Sequence, residues 1–327
     1  MDPFPRRSER FYVTVAEKKI TKWAPLAGRW NVSTTNPVYL GPQAERQPYG
    51  APVGVCISDI RFQGGGAQAT VYFPKAEDGH VDPDTSGGIL FGFRSLTEEY
   101  VYAAVGGYGA AYVLARFTNN LFLAFAVAGS RENLIAEHPY TLSVHMSGQN
   151  MIFKVDDVTV LSSRLETAPL QGQLGLFAWC AKTRVEFSDA SVTNETGKVF
   201  VIMPFSDYYL NELYRDVIKP TVDEGNELIA HHAGETLGPG IIIKDVEKDI
   251  SESKIVIADI TECNRNVYYE VGYAHASKIP TILLVQEDTP LPFDVSGYRC
   301  IFYRNTIAGK AKIIQRLRQY IMDILER

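Results

Sequence analysis

The chain has 327 residues, about twice an ordinary domain length, so two domains are expected. With 46 % hydrophobic and 21 % charged residues, wholesale disorder is excluded. The net charge is only −6 and no basic run is present, which argues against nucleic acid as a partner.

From about Trp23 to Thr193 the pattern is that of strands. The segments Gln68–Phe73, Gly88–Phe93, Tyr100–Val105 and Ala111–Arg116 are short, aromatic and β-branched. Clusters such as Gly106-Gly107-Tyr108-Gly109 and Thr118-Asn119-Asn120 separate them at hairpin spacing. No 3.6-residue stripe interrupts this half, and roughly ten to twelve strands imply an antiparallel β-sandwich. Further on, Tyr140–His145, Asn150–Val155, Val158–Leu161, Gly172–Phe177 and Val185–Val192 follow one another, with a turn at Asp156-Asp157. This succession resembles the closing strands of concanavalin- or laminin-G-like jelly rolls, which often bind glycans or proteins. The resemblance implies that residues 1–195 recognise a glycan or protein ligand, or assemble the protein.

The period changes at Gly197. Val199–Met203 is a continuous apolar run, as in a strand buried on both faces. Ser206-Asp207 can cap a helix with Leu210, Leu213, Val217 and Ile218 on one face. A short strand is expected near Glu227–Ala230. Gly238-Pro239-Gly240 then opens a helix with Ile242, Val246 and Ile250 on its inner stripe. Ile255–Asp259, Thr281–Val285 and Cys300–Tyr303 read as strands, Val267–Ser277 and Ile307–Leu325 as helices. This β-α alternation predicts an α/β flavodoxin-like domain over residues 198–327, with a parallel five-stranded sheet of order 2-1-3-4-5.

Such a sheet binds ligands beyond the carboxyl ends of its strands, where the strand order reverses. The loops Met203–Asp207 and Asp259–Asn266 frame that crevice. At 100° per residue, Glu270 falls on the edge of the stripe formed by Val267, Val271 and Ala274, and in the first turn of the predicted helix. A carboxylate there is costly unless it is paired or used. A structural alternative is an acid welcomed by the helix dipole, worth about 0.3–1 kcal/mol.

The stretch Val256–Ala276, with its Asp259, Asn266 and Glu270, resembles the superfamily of nucleoside 2-deoxyribosyltransferases and TIR-like proteins. Val201-Ile202-Met203-Pro204-Phe205 and Pro292-Phe293-Asp294 are similar to the opening strand and late turn of its bacterial TIR-like branch. The resemblance implies that Glu270 attacks or stabilises an anomeric carbon as an N-glycosidic bond breaks. It also implies that Pro204, Phe205, Asp207, Asp259, Thr261, Asn264 and Asn266 bind the substrate, with Phe205 stacking on a base or nicotinamide ring. NAD or a related nucleotide would be substrate rather than cofactor, and hydrolysis, cyclisation or base transfer would follow. Where the branch carries an arginine-containing segment, this chain has His231-His232-Ala233-Gly234-Glu235, whose histidines are expected to be exposed or structural rather than catalytic.

The resemblance further implies an oligomeric effector of bacterial antiviral or stress signalling. Two other classes remain open: a nucleotide sensor without chemistry, and a glycan- or protein-binding protein with a degenerate C-terminal half. A phospho-receiver is excluded, because no acidic pair follows the first strand and no lysine the last. GxxxxGK[ST] is absent. Cys56, Cys180, Cys263 and Cys300 form no CxxC pair, so neither a structural zinc nor a disulfide framework is expected. No metal and no cofactor are expected. No signal peptide and no stretch of ~20 apolar residues is seen, so a cytoplasmic protein without a membrane span is expected.

Overall fold

A computed structural model describes residues 17–42, 52–62, 64–76, 79–166, 172–179, 183–225, 228–236, 242–291, 295, 298 and 300–325. Gly238–Gly240, Pro292–Asp294 and Cys180 lie outside them. The chain divides into two compact units, one formed by most of the residues up to Glu195 and one by Thr196–Arg327 with Ser147–Gln149 and Glu166–Ala168.

The first unit contains β1 (Lys18–Lys19), β2 (Trp23–Ala27), β3 (Trp30–Asn31), β4 (Val38–Tyr39), β5 (Val53–Phe62), β6 (Gly65–Tyr72), β7 (Ser86–Phe93) and β8 (Tyr100–Val105). It continues with β9 (Ala110–Thr118), β10 (Leu121–Ser130), β11 (Pro139–Ser147), β12 (Asn150–Val155), β13 (Val158–Arg164), β14 (Gly172–Trp179) and β15 (Val185–Asn194). They form two antiparallel sheets. One has the order β13-β12-β11-β6-β15-β4-β3, with β1 also on β15; the other has the order β10-β9-β8-β7-β14-β5-β2. The expected antiparallel β-sandwich is what is observed.

Alternation decides which side chains meet between the sheets. From β11, Tyr140, Leu142, Val144 and Met146 point inward, while Thr141, Ser143 and His145 are less covered. The seven-stranded sheet behaves differently. Val101, Ala103 and Val105 of β8 join the inter-sheet core, yet Tyr100, Tyr102 and Ala104 on its opposite face are buried too. There Tyr102 stacks on Phe177 at 3.9 Å between ring centroids. This sheet is apolar on both faces, which is unusual for antiparallel strands. Asn119 and Asn120 (φ 50° and 60°) turn β9 into β10, and Asp156 and Asp157 (φ 50° and 63°) turn β12 into β13. Short polar side chains tolerate the left-handed geometry of such tight hairpins.

The second unit begins with β16 (Gly197–Ile202) and runs through β17 (Leu228–His231), β18 (Ile255–Asp259), β19 (Thr281–Gln286) and β20 (Cys300–Tyr303). These strands are parallel and ordered β17-β16-β18-β19-β20, the 2-1-3-4-5 arrangement predicted. Helices α1 (Tyr208–Leu213) and α2 (Lys219–Asp223) pack one face together with the last helix, which spans Ile307–Leu325. Between these two, α3 (Ala233–Thr236), α4 (Ile242–Glu252) and α5 (Arg265–Ala276) follow in the chain, and the long last helix is α6. Val246 and Ile250 of α4 and Val267, Val271 and Ala274 of α5 cover the other face. Sheet strands wedged between two helical layers must be apolar throughout, and all five residues of β18 are buried.

One feature of the first crossover is not periodic. Tyr214–Ile218, between α1 and α2, is π-helical. Pro220 explains it, because a proline has no N–H to donate to the carbonyl four residues back, and the helix widens there. No helix among the described residues is long and apolar enough to cross a membrane.

Candidate active site

Because the five strands are parallel, the loops after β16, β17 and β18 leave the sheet at the same edge. Asp207 ends the first loop and caps α1, its Oδ1 accepting from the Leu210 N–H at 2.8 Å. That oxygen is committed to the helix, whose first N–H groups otherwise lack partners. Pro204 and Phe205 are half-buried in the same loop. The Phe205 ring lies stacked on His232, 3.7 Å between centroids and 18° between planes, and meets Tyr214 edge-on at 5.3 Å. One face of Phe205, predicted to stack on a base, is therefore taken by a residue of the chain itself.

His232 follows β17 and joins the two loops through this aromatic group. Its Nδ1 accepts from the Gly234 N–H at 3.1 Å, and its Nε2 lies 3.6 Å from Glu235. Tyr214 donates to the same Glu235 carboxylate at 3.0 Å. Burial lowers the His232 pKa, and it lowers that of His231, which is fully enclosed, to about 3. Both imidazoles are thus held neutral inside the fold, as a structural reading of the pair requires. Replacing His232 with alanine removes the surface under Phe205; we expect a loss of about 1–2 kcal/mol of stability, measurable by urea unfolding.

The loop after β18 is latched from below. Asp259 ends that strand and is 1 % exposed. Its Oδ1 accepts from the Thr261 N–H at 3.0 Å and its Oδ2 from the Tyr303 hydroxyl at 2.6 Å. Thr261 Oγ1 in turn accepts from the Gln286 N–H at 3.0 Å, tying the loop to the end of β19. Burial raises the Asp259 carboxyl above the usual range, and the bonds from Tyr303 and Thr261 hold it back in part. Burial and the neighbouring Asp259 push the Tyr303 phenol up as well. Both oxygens of Asp259, expected to meet a substrate, are thus engaged by the loop and by β20.

Two residues at this edge escaped the sequence reading. Tyr303 carried a signal, since period two places it beside Ile301 on the buried side of the last strand. Tyr209, the second residue of α1, carried none. Its hydroxyl is buried without a hydrogen-bond partner among the described residues, and burial followed by the charge of Asp259 raises its phenol.

The loop ends at Cys263, whose φ of 49° is left-handed, and at Asn264. Asn264 caps α5, its side chain accepting from the Asn266 N–H at 2.9 Å, while the Asn266 side chain is exposed. This cap starts the helix at Arg265, two residues before the predicted start. Glu270 is thereby its sixth residue and not in the first turn, which contains no acid. The helix-dipole explanation of this carboxylate weakens accordingly, because the field fades beyond the first turn.

Glu270 lies at the edge of the buried Val267–Val271–Ala274 stripe. Burial alone pushes its carboxyl up to about 7. No hydrogen bond or ion pair reaches it among the described residues. A carboxyl in that condition is easily ionised or protonated near neutral pH, the range that acid–base and nucleophilic chemistry needs. Among the described residues, no group of three or more His, Cys, Asp or Glu side chains could hold a metal ion.

No family model matches the chain, and no curated protein matches it. Among solved structures it is similar to the carbohydrate binding module CBM66 from Bacillus subtilis, with 14 % identity, 54 % of this chain and 96 % of that one covered, and a TM-score of 0.42. A Bacillus subtilis protein of unknown function with a galectin-like fold gives 10 % identity, 57 % and 99 % coverage and a TM-score of 0.38. The Bacillus licheniformis β-glucanase gives 9 % identity, 57 % and 99 % coverage and a TM-score of 0.37. Likenesses this low carry no function across.

Proposed function

We propose that the C-terminal unit is a flavodoxin-like, TIR-like enzyme that cleaves the N-glycosidic bond of NAD or a related nucleotide, with Glu270 as the catalytic carboxylate. The observation that carries this reading is the Glu270 carboxyl itself: half-buried, without a partner among the described residues, and raised to about 7. Breaking the bond develops positive charge on the sugar, and a carboxylate stabilises that charge more in the transition state than in the bound substrate. Glu270 does so as an ion or as a covalent nucleophile. Asp259 and Thr261 hold the loop that leads into α5, and Asn266 offers its exposed amide to a ribose hydroxyl. The exposed face of Phe205 is the stacking surface for a base. The N-terminal sandwich, of jelly-roll type, recognises a glycan or protein ligand or assembles the chain, so that the whole works as an effector in bacterial antiviral or stress signalling.

The test is the pH dependence of base release from NAD and a nucleotide panel, read by chromatography on the full-length protein. The charged form of Glu270 is the active one, so kcat should rise with pH and level off above about 7, falling about tenfold for each unit below. Binding of a nucleotide without release of its base at any pH would instead identify a sensor.

A further inference from the structure

Among the described residues the two sheets end on β13, β3, β2 and β10, with the two-residue β1 as a further short edge on β15, and all but β10 are guarded. β3 has only two residues. β2 has five, with Pro25 at its centre. β13 carries Thr159, Ser162 and Ser163 and ends on Arg164. Shortness, proline and polar or charged side chains are the usual devices against pairing with another chain. The fourth end is β10, ten residues reading Leu-Phe-Leu-Ala-Phe-Ala-Val-Ala-Gly-Ser, with neither proline nor charge. β9 is hydrogen-bonded along one of its edges; among the described residues no strand is hydrogen-bonded along the other, and β13 of the facing sheet packs beside β10.

The side chains of β10 are also apolar where solvent meets them. Leu121 is 58 % exposed, Leu123 41 % and Val127 51 %. Its extended run is interrupted by a bulge between Ala124 and Ala126 and by the left-handed Gly129 near its end. Phe122 and Ala124 pack with the outer cluster of the sheet, and Phe125 and Ala126 with the inter-sheet core. Alternation therefore sets Leu121 and Leu123 on the inter-sheet side and Val127 on the other, so both faces of the edge are apolar. The bulge and the left-handed Gly129 (φ 69°) leave two extended stretches, Leu121–Ala124 and Ala126–Ala128.

We propose that β10 is a strand-pairing interface that receives the β10 of a second copy of this chain, antiparallel about a two-fold axis. Charge compatibility favours that occupant. A two-fold contact sets each residue against its own segment, and a strand without charge meets no like charge in any register. An incoming strand must be apolar on both faces to cover Leu123 and Val127 together, as β10 is. Pairing along both extended stretches supplies on the order of six main-chain hydrogen bonds, within the range a protein interface carries.

Sedimentation velocity of the full-length protein over about a hundredfold concentration range tests this. Wild type should pass from the mass of one chain to that of two. A Leu123→Lys, Val127→Lys double variant should need at least about tenfold more protein to associate, with an unchanged far-UV circular dichroism spectrum. If the double variant is misfolded, Val127→Lys alone gives the same readout. Leu26→Lys on the proline-guarded edge should associate as wild type does. A wild type that stays single, as it would if the edge served a different protein, overturns the proposal. So does association that survives the β10 lysines or that fails equally in Leu26→Lys.

Discussion

Replacing Glu270 with glutamine is expected to remove turnover and, at pH 8, to make the folded protein more stable. Both effects follow from one cause. The folded carboxyl holds its proton up to about 7, the unfolded one to 4.5. Its contribution to stability is therefore fully present below pH 4.5 and is lost as pH rises through 7. At about 1.4 kcal/mol per pKa unit the whole rise would cost roughly 3 kcal/mol. Glu270 keeps some contact with solvent, so about 1–2 kcal/mol is the expected cost. Glutamine carries no charge at any pH and is spared it. Urea unfolding of wild type and Glu270→Gln should therefore coincide near pH 4.5 and diverge by about 1–2 kcal/mol at pH 8, in favour of the variant. A residue retained against stability is what a functional site looks like. Equal stabilities at pH 8 would remove the physical basis for singling out this side chain.

Tyr303→Phe should have the opposite sign. The substitution keeps the ring, which is fully buried, and removes the hydroxyl that Asp259 Oδ2 accepts from at 2.6 Å. Asp259 is then left buried with one charged oxygen short of its donor, at a cost of about 1–3 kcal/mol. Losing that donor also raises the Asp259 pKa further, so the destabilisation should be larger at pH 8 than at pH 5. A double-mutant cycle with Asp259→Asn should return a coupling of about 1–3 kcal/mol. Coupling near zero would show that the latch does not hold the loop. Turnover should fall less than in Glu270→Gln, because Tyr303 positions the loop and does not meet the substrate.

The parallel sheet was legible because its strands are apolar runs between helical stripes. Ile255–Asp259, Cys300–Tyr303 and Ile307–Leu325 have their predicted limits. In the sandwich, Tyr100–Val105 and Asn150–Val155 do too. The ten-residue strands β5 and β10 were not legible. β10 is apolar at nearly every position, and without alternation or a stripe its period points nowhere. The π-helical turn was hidden because its cause, Pro220, acts on a hydrogen bond and leaves the apolar pattern intact. At the candidate site the sequence marked Glu270 by the cost of a carboxylate on an apolar stripe, but misjudged its turn because the Asn264 cap was read as loop. The resemblance and the loop that frames the crevice both put Asp259 among the ligand contacts. Only its pairing with Tyr303, 44 residues away, reveals the latch.

The measurement that bears most directly on the proposed chemistry is a chromatographic time course of NAD with full-length wild type and Glu270→Gln at pH 8, in protein concentrated enough to associate. We expect wild type to release nicotinamide and the variant to release at least about a hundredfold less. Nicotinamide released equally by both proteins, or NAD bound and left whole by wild type, would contradict the assignment of Glu270 as the catalytic carboxylate of an N-glycosidase.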